Sequence, residues 1–385
     1  MDDGYDEEPE SGYSPSQGRN EPLRLQLPAT TDPPGPENPP KQLVWLIFGA
    51  TGHMGMSVAK AALNHGDKVS SVGRTFEDTI ESLTASHPGN DRHFGMLCDV
   101  RIRETVKAAI DKTMQRFGRI DVIANCSGYG VIGSCEDQEE YEIRNQFETN
   151  FMGTLNIIQL SLPYFRARQQ GRYLIFSSTS GALGVPGLGP YCATKYAVEG
   201  LIESMLYEVD AFNIKMTLVE PGHIRRDDVH IQASGENLPI FGHFKVARPS
   251  EPYQGKDSPA EHPKRMLHWM GHNQPTSAVK SAELVWQLGH CSYPPLRLLL
   301  GTFAVDSIRD RLNSIIVEIE DWKHLNYPLP EGQEPEPEEE QGQEDEDNEL
   351  ESNQEQDEGP DTEATSQTQQ KQAESSAYDI KMEDS

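Results

Sequence analysis

The chain has 385 residues, with 62 Asp and Glu against 33 Lys and Arg and a formal charge of −29. The acidity sits at the ends: residues 1–40 hold 9 Asp/Glu and 2 Arg, residues 331–385 hold 21 Asp/Glu and 2 Lys, and residues 41–330 are left near neutrality. Ends of that sign argue against nucleic acid and anionic membrane surfaces as partners. Cys98, Cys126, Cys135, Cys192 and Cys291 form no C-x-x-C pair. A disulfide framework and a structural zinc site are therefore not expected, and a reducing compartment fits. The start is acidic, unlike a secretory or mitochondrial leader, and no apolar run approaches the ~20 residues that span a bilayer. The expectation is a cytoplasmic protein, with the nucleus open.

Residues 1–40, Pro-rich from Pro28, and residues 329–385, rich in Glu, Gln and Asp, offer little to bury and are expected to be disordered. Solvation is the simplest role for the acidic tail, and nothing names a partner for it. Between these ends, residues 41–328 alternate short apolar runs with amphipathic stretches. Predicted elements in order are strand Leu43–Phe48, helix Met54–Asn64, strand Lys68–Val72 and a short helix near Glu77–Ser86. Strand Phe94–Cys98, helix Glu104–Phe117 and strand Ile120–Ala124 follow. A long helix Tyr141–Arg168 precedes strand Tyr173–Phe176, and helix Tyr191–Phe212 precedes strand Lys215–Val219. Helix Ser277–Leu288 and strand Leu296–Leu300 come last. Six or seven strands with crossover helices make one doubly wound parallel α/β domain.

Straight after the first strand comes Gly49-Ala-Thr51-Gly52-His53-Met54-Gly55, opening a helix. Glycines at such a turn let the backbone approach a pyrophosphate, whose charge then rests on the helix N-terminus. Alone the spacing could mark only a tight turn; in the first βα unit it predicts a dinucleotide site. An acid at the end of the second strand would bind the ribose hydroxyls of NAD. This sequence has Gly73-Arg74-Thr75 there, and an arginine pairs with a 2′-phosphate. NADP is expected, with NAD the alternative if Arg74 is only a surface residue.

Tyr191 and Lys195 lie four apart at the start of a predicted helix, on one face. A phenol with a pKa of about 10 exchanges protons poorly at neutral pH, and a nearby ammonium lowers that value. Ser178 lies just after the preceding strand. With Gly49/Gly52/Gly55, Cys98-Asp99-Val100, Asn125-Cys-Ser-Gly128, Asn150, Ser178, Tyr191-x-x-x-Lys195 and Pro221-Gly222 in order, the chain resembles the classical short-chain dehydrogenase/reductase family over about residues 42–325. Val219-Glu-Pro-Gly222 and the Pro294–Gly301 phrase look like a branch common among fungal and bacterial oxidoreductases.

The resemblance implies that Tyr191 passes the proton, Lys195 lowers its pKa and holds the nicotinamide ribose, Ser178 binds the substrate oxygen, and Asn150 supports a water relay. It implies a cofactor site built from Gly49, Thr51, Gly52, His53, Met54, Gly55, Arg74, Asp99, Val100, Asn125, Gly128, Tyr191, Lys195, Pro221, Gly222 and Ile224. It also implies a homodimer or homotetramer through the two long helices, and a small carbonyl or alcohol substrate met by a variable lid, residues 227–275. Met266, Leu267, Trp269 and Met270 suggest that this substrate is apolar, with packing on the core the alternative use for them. No metal is expected: His268 and His272 have ligand spacing but no third partner nearby. Three departures stand out: the middle glycine falls one place early, Ser127 replaces alanine, and Arg226 stands where a threonine is usual. The glycine spacing is nearer that of branches that include cofactor sensors, so a non-catalytic redox sensor signalling through the acidic tail is the alternative to an enzyme.

Overall fold

A computed structural model of the protein describes residues 25–74, 89–225, 243–265 and 276–325. Their main elements are β1 (Val44–Phe48), α1 (His53–Asn64), β2 (Lys68–Gly73), β3 (His93–Leu97), α2 (Arg103–Phe117), β4 (Val122–Asn125) and β5 (Gly130–Ile132). Then come α3 (Glu140–Phe147), α4 (Gly153–Arg168), β6 (Gly171–Phe176), α5 (Gly189–Val209), β7 (Ile214–Pro221), β8 (Phe244–Val246), α6 (Ala278–His290), β9 (Arg297–Leu300) and α7 (Thr302–Trp322).

The first strand shows why the sheet lies in the middle. All five residues of β1 are buried, with Leu46 and Phe48 in one apolar cluster and Trp45 and Ile47 in another. Side chains of a strand alternate between faces, so a run apolar on both faces needs helices on both sides. One cluster takes in α2, α4 and α5, the other α1 and α6. Seven parallel strands follow the order β3-β2-β1-β4-β6-β7-β9. Winding therefore reverses between β1 and β4, the crevice where ligands bind in open α/β sheets. The expected doubly wound sheet is present.

Four features differ from the sequence reading. The single helix expected over Tyr141–Arg168 is two helices, α3 and α4, joined through a π-helical turn at Glu148–Met152 that buries Asn150. β5 and β8 form a separate two-stranded parallel sheet; at three residues each they are too short for periodicity to reveal. α7 extends the chain beyond the last predicted strand. Finally, the unstructured segment expected over residues 1–40 is corrected for residues 25–40. Leu27 is buried, its N–H donates to Gln287 (2.9 Å), and Gln287 donates back to the Leu25 carbonyl (2.8 Å). Prolines remove donors but leave carbonyls, and Ser292 and Tyr293 donate to those of Asp32 and Thr31. Residues 1–24, the helix near Glu77–Ser86, Arg226, Met266–Met270, His272 and residues 329–385 lie outside the described residues.

Asp67 fastens the sheet to α6. Its carboxylate, 1% exposed, accepts from Trp45 Nε1 (2.9 Å), Trp286 Nε1 (3.0 Å), His290 Nε2 (2.8 Å) and the Leu43 N–H (2.8 Å). Burial of so many donors without an acceptor is costly, so Asp67→Ala should lower unfolding free energy by about 3–5 kcal/mol in chemical denaturation. A loss below ~1 kcal/mol, the range of ordinary surface substitutions, would contradict this role.

Candidate functional site

The glycine turn lies at the C-terminal end of β1. Gly49 has φ of +73°, and a Cβ there would lie 2.7 Å from the Cys126 carbonyl. At Gly55 a Cβ would lie 2.3 Å from the Gly49 carbonyl oxygen. Both positions therefore need glycine, and the turn packs tightly enough to bring α1 close behind it. Gly52 is the N-cap of α1 and offers no side chain to cap it. The first-turn N–H groups of a helix lack intrahelical acceptors and carry positive potential, the chemistry that holds a phosphate. His53 opens α1, while the Met54 side chain is buried in the core. Met54 can thus serve a ligand only through its backbone.

From this turn a cleft of about 90 Å³ runs along the sheet edge, lined by Arg74, Asp99, Val100 and Gly128 among others. Arg74 stands at the end of β2, as expected. The Asp99 carboxylate is clasped by Arg101 through contacts of 2.9 and 2.6 Å, which hold it below the usual carboxylate range. Arg101 and Lys245 also line the cleft, and neither was anticipated. Asn125 is turned inward: its amide donates to Thr154 Oγ1 (2.9 Å), and its oxygen accepts from the Ser127 N–H (3.1 Å). It shapes the floor through the backbone it holds.

The four residues expected to carry proton chemistry converge. Tyr191 lies in the first turn of α5, 3% exposed, beside Ser178 just beyond β6. Burial pushes the phenol above its usual value, and the neighbouring Ser178 hydroxyl offsets part of that. Lys195 Nζ lies 5.7 Å from the Tyr191 ring centre and donates to the Phe176 carbonyl (3.0 Å). In this arrangement the ammonium is held by the strand end, within reach of the phenol ring. Asn150 accepts from the Tyr129 N–H (3.0 Å) and donates to the Tyr129 carbonyl and Thr194 Oγ1 (both 2.9 Å). A Cβ on Gly128 would lie 3.0 Å from Asn150 Oδ1 and 3.6 Å from Lys195 Nζ, so the loop after β4 runs directly past both.

At the far side, Gly222 donates to the Leu300 carbonyl (3.0 Å) and Pro221 pairs in register with Leu300. His223 packs on Phe303 with ring centres 4.4 Å apart, and burial takes its pKa down to about 4. Ile224 packs against the apolar cluster under β1. Two neighbours of Tyr191 come from a segment without periodic pattern: Phe244 meets its ring edge-on at 5.0 Å, and His243 Nε2 lies 3.4 Å from its hydroxyl. A further unanticipated group is Glu199, four residues past Lys195 on α5, whose oxygen accepts from Ser177 (2.6 Å). Its i, i+4 spacing from Lys195 was the available signal.

The family model described as short chain dehydrogenase matches residues 43–235. The chain belongs to this family. An oxidoreductase of Botryotinia fuckeliana is 31% identical over 283 residues, covering 74% of this chain and 97% of its own. A 3-ketodihydrosphingosine reductase of Bacteroides thetaiotaomicron is 33% identical over 177 residues, 46% of this chain and 62% of its own. The crystal structure of a short-chain dehydrogenase from Streptomyces avermitilis matches with a TM-score of 0.63 at 30% identity, covering 74% of this chain and 98% of that one. The protein is therefore a dehydrogenase/reductase built on a Rossmann-type sheet. Among the described residues no helix is long and apolar enough to cross a membrane.

Burial lowers the Lys195 pKa to about 8, and the Glu199 charge works against that shift. Loss of that charge should let burial act unopposed. NMR titration of the lysine side chain should place its midpoint near 8, and Glu199→Gln should lower it. An unchanged midpoint in Glu199→Gln would show that the two groups do not interact.

Proposed function

We propose that the enzyme interconverts a carbonyl and a secondary alcohol with NADP(H), and that Tyr191 is the general acid/base. The observation that carries this reading is the buried Tyr191 beside Ser178 and one helical turn from Lys195, whose Nζ borders Gly128 in the lining of the cleft that begins at the glycine turn. The close approaches at Gly49 and Gly55 leave a backbone cradle suited to a dinucleotide pyrophosphate. Arg74 fits a 2′-phosphate, which favours NADP(H) over NAD(H).

A bound nicotinamide supplies or accepts the hydride. In the reducing direction Ser178 donates a hydrogen bond to the carbonyl oxygen and fixes its distance from the phenol. Tyr191 Oη gives that oxygen its proton as negative charge develops there, and the reverse transfer serves oxidation. Lys195 favours the phenolate that remains once its ammonium faces the site, and Asn150 keeps the loop and helix in register. Phe244, with Leu188 and Val246 in the same apolar cluster, lines an apolar approach to Tyr191, which suits an apolar ketone or alcohol. The 3-keto group in the name of the Bacteroides relative agrees with carbonyl reduction. Outward-facing Tyr141, Met152, Tyr196 and Tyr207 on the long helices and the turn between them suit a homodimer or homotetramer, and the five free cysteines suit a cytoplasmic setting. The sensor reading rests on the glycine spacing and Arg226 and gives no use for a buried tyrosine and a serine side by side.

Tyr191→Phe keeps the ring and removes the proton. With NADPH and a panel of apolar ketones, kcat should fall by roughly 10²–10⁴-fold, while cofactor affinity stays within about twofold. Wild-type turnover in this variant would refute the assignment.

A further inference from the structure

α7 leaves the body of the protein with an apolar face uncovered. Ala304 and Ile308, near its start, are buried. Beyond them Leu312, Ile316, Val317, Ile319 and Trp322 are 55–64% exposed. Ile308, Leu312, Ile315, Ile319 and Trp322 are spaced 4-3-4-3, the heptad seam by which one helix packs on another. Single exposed apolar residues are ordinary; a helical seam on which Leu312, Ile319 and Trp322 are exposed and Ile315 is half-buried marks an interaction surface.

Charge along the seam identifies the occupant. The residues flanking it are Arg309 and Arg311 in the first half and Glu318 and Lys323 in the second. We infer that α7 is an association surface for a second copy of this chain, pairing antiparallel with its own equivalent about a two-fold axis. With Leu312 opposite Ile315 of the partner and Ile308 opposite Ile319, Arg311 of each helix faces Glu318 of the other. The two-fold axis relates the two Arg311–Glu318 pairs, which close one edge of the seam, while Arg309 faces Ile316 along the other. Trp322 comes to rest over Val305 at the root of the partner helix. A parallel arrangement leaves Arg311 opposite Ile316 and forces both bodies to the same end. The helix carries 5 acidic and 3 basic residues between Asp306 and Lys323. That excess opposes the other common use of such a face, lying on an anionic bilayer. This surface is separate from α3, α4 and α5, and the inference does not depend on the reaction proposed above.

The test is the mass of the full-length chain by sedimentation equilibrium at micromolar concentration. Leu312→Glu/Ile319→Glu changes exposed positions only, and should halve the mass of the wild-type species. Arg311→Glu and Glu318→Arg should each weaken the same association step, and the combined charge swap should restore it. A mass unchanged by Leu312→Glu/Ile319→Glu overturns the proposal. Failure of the charge swap to restore association overturns the antiparallel pairing. Co-sedimentation with phosphatidylcholine–phosphatidylserine vesicles that is lost in the apolar double variant, with no change in mass, assigns the face to a membrane instead.

Discussion

The candidate site depends on one buried carboxamide. Asn150, 1% exposed, bonds both the N–H and the carbonyl of Tyr129 and also Thr194, which in turn donates to the Tyr191 carbonyl (2.7 Å). Three segments far apart in sequence are thereby held together: the loop after β4, the turn between α3 and α4, and the first turn of α5. The π-helical turn at Glu148–Met152 is what aims Asn150 inward, an irregularity of the kind that gathers at functional sites. Every polar atom of the amide has a partner, so the network can set geometry without leaving an unpaired group in the core.

Around that frame, charge is managed mainly by burial. The phenol of Tyr191 is raised, the ammonium of Lys195 is lowered to about 8, and Glu220 is raised to about 8. Beneath Lys195, Arg297 lies among the carboxylates of Glu199, Glu203 and Glu220, 3.1 Å from Glu220 and 3.6 Å from Glu199. Burial, together with the Glu199 and Glu203 charges that one guanidinium does not neutralise, accounts for the raised Glu220.

Much of this was legible in the sequence because the informative constraints are local. Strands apolar on both faces, such as Val44–Phe48, announce a covered parallel sheet. The glycines at 49, 52 and 55 and the Tyr191–Lys195 pair are read from spacing within a single turn. What escaped is set by contacts over long distances. The break between α3 and α4 depends on Asn150 finding Tyr129 and Thr194; the one proline between Tyr141 and Arg168, Pro163, lies inside α4 and not at the break. β5 and β8 exist because Gly130–Ile132 meets Phe244–Val246 more than 100 residues on. The docking of Leu25–Asp32 depends on Gln287 and Tyr293, which a composition argument cannot see. The position of Lys195 is a matter of degree: its pairing with Tyr191 was legible, but its hold on the Phe176 carbonyl belongs to the strand end.

The central claim is that the glycine turn, Arg74 and the Tyr191–Lys195 face form one dinucleotide site. Its most direct test is a calorimetric titration of the purified chain with NADPH and with NADH. The account predicts saturable 1:1 binding of NADPH, clearly tighter than NADH, with that preference lost in Arg74→Ala. Absence of binding by either nucleotide would contradict it, and would leave the Gly49–Gly55 turn a structural feature only.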